Sequence, residues 1–458
     1  MARAKTSEER YEQMQNTPVK KLICQLAVPT IISMLITSIY NMADTYFVGQ
    51  INTSATGGVG VAFPLMMIVQ AIGFTFGMGS GNRISRLLGQ KEPEEAAKVA
   101  ATGFFTAFFF GAVLAVLGTI FLDPLVVLLG ATDTIAPYAR DYIRYILMGM
   151  PFMTSSFVLN NILRYQGSAF YSMLGIAAGG VLNIFLDPIF IFTLGYGTGG
   201  AAMATTISQI ISFSILLYNQ GKGGNLKLSF KNFTPDWPMY RDIFKIGLPS
   251  FYRQGIASVA TILLNVAARG HGDAAIAAMS VVGRVVMFAF SALIGFGQGY
   301  QPVCGFNYGA KRYDRVREGF WFCIKTGVLG LAIISMLSYP FAEQIITIFR
   351  KDDPEVIRIG AQALRYMLLV FPLQAWVVVS TMLMQNIGEL KSASILALAR
   401  QGIFFVPAIL ILPRMFGLTG IQITQPVADL FAFLISIPLG KKVMERLKIL
   451  EETQNAPF

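Results

Sequence analysis

The sequence predicts an all-α polytopic membrane protein: twelve transmembrane helices in two six-helix bundles related by pseudo-two-fold symmetry. Three observations carry this. Of the 458 residues, 54% are hydrophobic and 13% charged, against about 25% charged in water-soluble domains. Apolar runs long enough to cross a bilayer, about 17–25 residues each, recur along nearly the whole chain. The second half also repeats the first. The runs are continuous and lack the alternation of β-barrel strands.

Taken in order, a polar segment 1–21 (MARAKTSEERYEQMQNTPVKK) leads into a full-length span without the pattern of a cleavable signal peptide. Spans are expected at 22–47, 58–82, 99–121, 142–163, 170–195 and 199–219, which make an N-lobe over 22–219. The stretch NQGKGGNLKLSFKNFTPDWPMYRDIFK is the longest polar run inside the chain, and its Gly, Pro and Lys mark a linker, 220–242. Spans at 243–268, 276–304, 318–348, 360–386, 393–413 and 418–440 make a C-lobe over 243–440, followed by a tail, 441–458. LAVP ending at Pro29 matches IGLP ending at Pro249, and GMGSGNRISRLLGQKEPEE lies over GQGYQPVCGFNYGAKRYDR without a gap. Further matched pairs are Gly89/Gly309, Lys91/Lys311, Gly167/Gly388 and Gly197/Gly417. An even number of spans returns the chain to the side it left, so the halves share one orientation. The expected result is a two-fold axis along the membrane normal, a cavity between the lobes, and alternating access by rocking.

Placing both termini and the linker on one side gathers 24 of the 36 Lys and Arg there, against eight opposite. By the positive-inside rule that side is cytoplasmic, in a plasma (inner) membrane. The net charge of +11 thus reflects topology and needs no nucleic-acid partner. There is no GxxxxGK[ST] loop to bind ATP, no metal-ligand spacing and no nucleophile–base arrangement, so the chain reads as neither an ATP-driven pump nor an enzyme. The single histidine, His271, belongs to an external loop, and Cys24, Cys304 and Cys323 read as packing residues. No cofactor is implied. Energy must come from an ion gradient, or transport is passive; the two-lobe repeat disfavours a channel.

Charged residues inside spans are expensive, and that makes the acids informative. SIYNMADTYFVG sets Asn41 and Asp44 at i, i+3 on one face of the first span. NIFLDP sets Asn183 and Asp187 at i, i+4 in the fifth, and GGAAMATTISQ sets Thr205 four before Gln209 in the sixth. All lie in the first half and can converge in one lobe. Desolvation and mutual repulsion there favour taking up a proton, the physical requirement for coupling to H⁺; the same oxygens could hold Na⁺. The structural alternatives are a capping role for Asp44 and a helix-break role for Asp187. The second half has Leu264 opposite Asp44 and carries Arg253, Gln254, Arg284, Arg400 and Asp429. Here Arg253 or Arg284 is expected either to pair with Asp429 or to contact substrate. The glycines of the two matched polar loops, after the second and eighth spans, are expected to make tight turns. Of the many Met and Phe, some are expected to line a deformable cavity, but no substrate residue can be chosen.

DTYFVG, NIFLDP, GGAAMATTISQ, GFGQGYQPVCGFNYGA and the GQKEPEEA and GAKRYDRVREG loops together resemble the multidrug and toxic compound extrusion (MATE) transporters, in particular DinF/MepA-like bacterial members. The resemblance runs from about Pro29 to Lys442. It implies export of amphipathic, often cationic, drug-like compounds in exchange for H⁺ or Na⁺, by a monomer in the lipid bilayer. It carries an ion-coupling role onto Asp44, Asn183, Asp187 and Thr205, more loosely onto Tyr142, and a helix-bending role onto Pro29. No acids match a second-lobe cation site. The competing reading is a lipid-linked oligosaccharide flippase or metabolite exporter of the same superfamily.

Overall fold

The apolar runs fold as helices throughout, and no strand forms among the residues that the computed structural model describes: 7–223, 226–349 and 353–455. In the first half a polar helix α1 (Ser7–Asn16) precedes α2 (Val19–Gly49), α3 (Thr53–Gly89), α4 (Pro93–Ile120), the short α5 (Leu122–Leu128), α6 (Ala136–Tyr165), α7 (Ala169–Pro188) and α8 (Gly197–Gly223). The second half holds α9 (Trp237–Arg269), α10 (Asp273–Gly309), α11 (Tyr313–Ser338), the short α12 (Ala342–Phe349), α13 (Pro354–Val370), α14 (Gln374–Ile387), α15 (Leu390–Leu398), α16 (Phe405–Phe416) and α17 (Leu418–Asn455). A 3₁₀ turn (Phe371–Leu373) joins α13 to α14, and a π-helical turn (Ala399–Ile403) joins α15 to α16. Each joined pair is one span, so both lobes have six. Eleven of the twelve are long and apolar enough to cross a membrane by length and composition. The other is α9, whose apolar run is diluted by Arg253, Gln254 and Asn265.

Several boundaries shift. The expected tail from 441 is a continuation of α17 as far as Asn455, and α8 and α9 shorten the irregular part of the linker. Arg3, Lys5, Arg350 and Lys351, which entered the charge count, lie outside the described residues. The matched loops after the second and eighth spans are mostly helix, and their glycines do not make the turns. The left-handed residues are Lys91 (φ 64°) and Lys311 (φ 57°), a repeat-related pair. Two other matched pairs, Gly167/Gly388 and Gly197/Gly417, also have positive φ.

Gly89 and Gly309 instead let the two lobes touch. A Cβ on Gly89 would stand 2.0 Å from the Phe306 carbonyl oxygen, and one on Gly309 would stand 2.1 Å from that of Arg86. The same closeness recurs where Gly79 meets the Ile243 carbonyl, Gly247 that of Thr75, and Gly295 and Gly299 the α2 backbone at Ile31 and Ala27. Thr30 Oγ1 donates to the Gly295 carbonyl at 2.6 Å, and Arg83 pairs with Asp242 across the same junction. This seam joins α3 to α9 and α10, and α2 to α10, along the halves nearest the linker.

Toward the far end the same helices part. Gly60, Gly255 and Gly283 have no atom within 4 Å of a built Cβ. Ile68, two turns beyond Thr75 on α3, and Phe288, two turns beyond Gly295 on α10, are exposed. A cleft therefore opens between the lobes, away from the linker. Across the closed end lies α1. Its Met14 meets Gly167 of the N-lobe, and Lys91 sits 5.1 Å over the Tyr11 ring. On the C-lobe side the Tyr11 ring is 5.2 Å from that of Phe306, and Arg315 Nη2 donates to the carbonyls of Met14 (3.3 Å) and Thr17 (2.6 Å).

Candidate functional site

The N-lobe site is built on α7. Small residues along this helix let its neighbours approach: Gly175 lies against Leu216, Gly179 against Ser212, and Gly180 against Ile36 and Tyr40. The helix is thereby held close to both α8 and α2, and its next two turns present Asn183 and Asp187. Asn183 Nδ2 donates to Asp187 Oδ1 at 3.1 Å and to Thr205 Oγ1 at 3.3 Å. Asp187 is 0% exposed, Asn183 2%, Tyr142 4% and Thr205 7%. Asp44 comes from α2, half-buried, within charge–charge reach of Asp187, and buried Tyr142 of α6 lies within electrostatic range of both.

The hydrogen bonding of this cluster is incomplete. Asp44 Oδ1, Asn183 Oδ1 and Asp187 Oδ2 are sealed from solvent without a donor. A buried acceptor with no partner is costly, and for a carboxylate the remedies are a proton, a cation or a donor brought by a ligand. Neither aspartate has an Arg or Lys ion-pair partner among the described residues. The arrangement can therefore exchange a small cation or a proton without breaking a resident salt bridge.

Directly after Asp187 the helix changes pitch. Pro188 has no N–H, so the Ile184 carbonyl loses its usual helical donor. The chain continues through a π-helical turn, Ile189–Thr193, in which the Leu194 N–H donates to the Ile189 carbonyl at 2.9 Å. Gly200 of α8 packs against the Phe190 carbonyl, where a Cβ would be 2.5 Å away. The wide turn thus sits against α8, one turn past Asp187.

Not every residue singled out in the sequence joins the cluster. Asn41 is exposed and makes no side-chain hydrogen bond to it. It stands 14 residues beyond Ala27 on the stripe of α2 that forms the seam, and so faces the cleft. Gln209 is half-buried and likewise makes no bond to the cluster. Pro29 is buried inside α2, next to the seam residue Thr30. Tyr40, one helical turn before Asp44 and within its electrostatic range, was not foreseen; the Gly179–Gly180 pair one turn before Asn183 was the available signal for close approach by α2. Cys24 is exposed, contrary to the packing role expected of it, whereas Cys304 and Cys323 are buried.

The C-lobe handles its acid differently. Arg400 Nε donates to Asp429 Oδ1 at 2.8 Å, and Gln425 Nε2 donates to the same oxygen at 2.7 Å. The Arg400 guanidinium also lies 4.3 Å from the Phe290 ring centroid. The partner of Asp429 is thus Arg400, and the expectation of Arg253 or Arg284 is corrected. Arg400 reaches it from the π-helical turn between α15 and α16.

The family model described as MatE matches residues 29–189 and again 249–410, once in each half. The chain is 26% identical over 444 residues to the multidrug export protein MepA of Staphylococcus haemolyticus, covering 96% of this chain and 98% of that one. For MepA of Staphylococcus aureus the identity is 25% over 448 residues, with the same coverage. Similar solved structures include a MATE protein in complex with MaL6, with a TM-score of 0.91 at 27% identity over 95% of this chain and 98% of that one. Another is an outward-facing multidrug resistance MATE transporter, with a TM-score of 0.90 at 27% identity and equal coverage. A third is a MOP superfamily transporter from Pyrococcus furiosus, described as having a binding pocket of reverse polarity. It gives a TM-score of 0.90 at 27% identity over 97% of this chain and 99% of that one.

Proposed function

The chain belongs to the MatE family, and from that premise we propose that it is a secondary active exporter of amphipathic, often cationic, organic compounds, driven by antiport of H⁺. Na⁺ is the alternative coupling ion. The observation that carries the reading is the contrast between the lobes. Asp429 is neutralised by Arg400, whereas half-buried Asp44 and fully buried Asp187 each keep a carboxylate oxygen sealed from solvent that no donor satisfies among the described residues.

The Lys and Arg distribution supports a cytoplasmic linker end in a plasma membrane, which makes the cleft outward-facing. In this state protons from outside reach Asp44 and Asp187, and Asn183 and Thr205 hold the Asp187 carboxyl in place. Protonation removes the negative field. A bound organic cation then loses its counter-charge and leaves through the cleft. Rocking along the seam turns the site inward, where the protons dissociate and the restored charge attracts the next cation. Each net charge moved inward gains about 2.3 kcal/mol per 100 mV of membrane potential.

The test is dye efflux in proteoliposomes under separately imposed pH and Na⁺ gradients. A pH gradient alone is expected to drive transport, and Asp187→Asn to abolish it while leaving the protein folded. Wild-type rates in Asp187→Asn would make the cluster structural. Transport driven only by Na⁺ would transfer the role to that ion.

A further inference from the structure

After the sixth span of each lobe the chain emerges with a cluster of basic residues, and the two clusters are treated differently. At the C-lobe end the counter-charges are built in. Arg446 pairs with Glu389, Lys448 with Glu452 at 3.6 Å, and Glu451 reaches Arg317 of α11 at 2.7 Å. At the N-lobe end Lys222, Lys227 and Lys231 are exposed, and none has a carboxylate partner among the described residues. None could be local, because no Asp or Glu stands between Asp187 and Asp236.

These lysines ride on a loop fixed against the N-lobe. Gln220 Nε2 donates to the Leu226 carbonyl at 2.8 Å, and Asn232 Nδ2 to the Lys227 carbonyl at 3.1 Å, which folds Lys227 back beside the turn that carries Lys231. Lys222 Nζ sits 4.6 Å over the ring of exposed Tyr218. The loop then runs along α4. The Thr234 N–H donates to Thr102 Oγ1 at 3.1 Å, and the Tyr240 and Thr106 hydroxyls are hydrogen-bonded at 2.9 Å. Between these ties the Phe105 ring meets that of exposed Phe230 at 5.3 Å. From Phe105 the same face of α4 runs away from the linker through Phe109, Val113 and Val116, all exposed. Exposed Tyr218 and Trp237 mark the headgroup level, where their amphipathic rings are favoured. The corner therefore has an aromatic step at the membrane border, ammonium groups on one side of it and a bare apolar stripe on the other.

We propose that this outer corner of the N-lobe, between α4, the end of α8 and the linker, is a docking site for an anionic phospholipid of the leaflet on the linker side. The headgroup phosphate sits among Lys222, Lys227 and Lys231, and an acyl chain passes over Phe230 and along the α4 stripe. Charge complementarity selects this occupant: three ammonium groups without an internal counter-ion stand at a bilayer surface that carries negative headgroups. The stripe beyond Phe105 requires that the anion carry a chain, because a soluble phosphate would fill only the basic half.

A tryptophan placed at the step reads lipid contact there, and no transport is needed. With Trp237, Trp321 and Trp376 replaced by Phe, Phe230→Trp supplies the only indole of the full-length chain. The protein is reconstituted in phosphatidylcholine bilayers that contain the same small fraction of brominated phosphatidylglycerol or of brominated phosphatidylcholine. Brominated phosphatidylglycerol is expected to quench as though enriched about fivefold, the attraction that one lysine near an anionic surface supplies. Lys222→Gln, Lys227→Gln and Lys231→Gln together should abolish the preference. Lys20→Gln, Lys21→Gln and Lys391→Gln, which remove three exposed charges elsewhere on the linker side, should retain it. Native mass spectrometry of the protein with its own tryptophans should give the same contrast, with phosphatidylglycerol held by the wild type and the second triple variant and lost by the first. Equal quenching by the two lipids, or equal loss in the two triple variants, refutes the site. An equal rise in thermal midpoint with inorganic phosphate and with phosphatidylglycerol would make it a pocket for soluble anions instead. A change from dimer to monomer in the first triple variant would give the face to a second copy of the chain, and either result overturns the lipid assignment.

Discussion

A methyl group at Gly309 tests whether the glycine seam sets the direction in which the molecule opens. In the present state a Cβ there would stand 2.1 Å from the Arg86 carbonyl oxygen and 2.9 Å from the Arg86 Cα. Carbon–oxygen contacts normally begin at about 3.3 Å, so the lobes must spread by roughly 1.2 Å at this point. The obstacle is helix backbone, not a side chain that can rotate away. Neighbouring contacts at Gly89, Gly247, Gly295 and Gly299 hold the same surfaces together, so the spread cannot stay local. Overpacking of this kind costs about 1–3 kcal/mol. Charged to one state alone, that shifts the balance between closed and open linker ends by about 5–150-fold. Spin labels on Gln50→Cys and His271→Cys, both exposed near the far end, report it in a background lacking the three native cysteines. With Gly309→Ala the inter-label distance should shorten as the far end closes, and dye export should slow. Gly255→Ala, where the new Cβ meets nothing within 4 Å, should leave the distribution unaltered. An unaltered distribution in Gly309→Ala would show that the seam does not govern the equilibrium.

Two further perturbations probe the surroundings of the seam and the site. Asp429→Ala strands the Arg400 guanidinium in the C-lobe interior and should destabilise the protein by about 3–5 kcal/mol, seen as a lower thermal unfolding midpoint. An unchanged midpoint would mean that the ion pair is structurally idle. Arg315→Ala removes the donor that holds the Met14 and Thr17 carbonyls. It should expose α1 to limited proteolysis and weaken closure of the linker end by about 1.5–3 kcal/mol for each hydrogen bond lost. Protection of α1 equal to that of the wild type would rule out this clamp.

The repeat was legible because its constraints fall on residue type. A left-handed backbone selects Gly at 167, 197, 388 and 417, so the same letters recur 220–221 residues apart. The pairing of Asn183 with Asp187 was legible too, since four residues make one helical turn and both must leave the same face. Thr205 required knowing that α8 packs antiparallel to α7, which sequence spacing alone does not state. Three features were out of reach. Asn41 and Asp44 are three residues apart, yet one faces the cleft and the other the cluster, because their helix runs along the border between a lobe interior and open space. The partner of Asp429 depended on a π-helical turn that reorients Arg400 by a fraction of a turn. The seam glycines Gly89 and Gly309 looked like loop residues because charges stand within three residues of them, and only the approach of the second lobe gives them another use.

The seam also constrains how this protein can change by mutation. Its fit depends on six positions, Gly79, Gly89, Gly247, Gly295, Gly299 and Gly309, where no side chain is present. Every missense change in a glycine codon adds at least one carbon, so none of these positions can drift neutrally in size. Random mutagenesis at any of the six should push the molecule the same way, toward resting conformers that face the compartment on the linker side. Selection for altered dye resistance would then recover direction-biased variants at these codons rather than changes in what the cleft recognises.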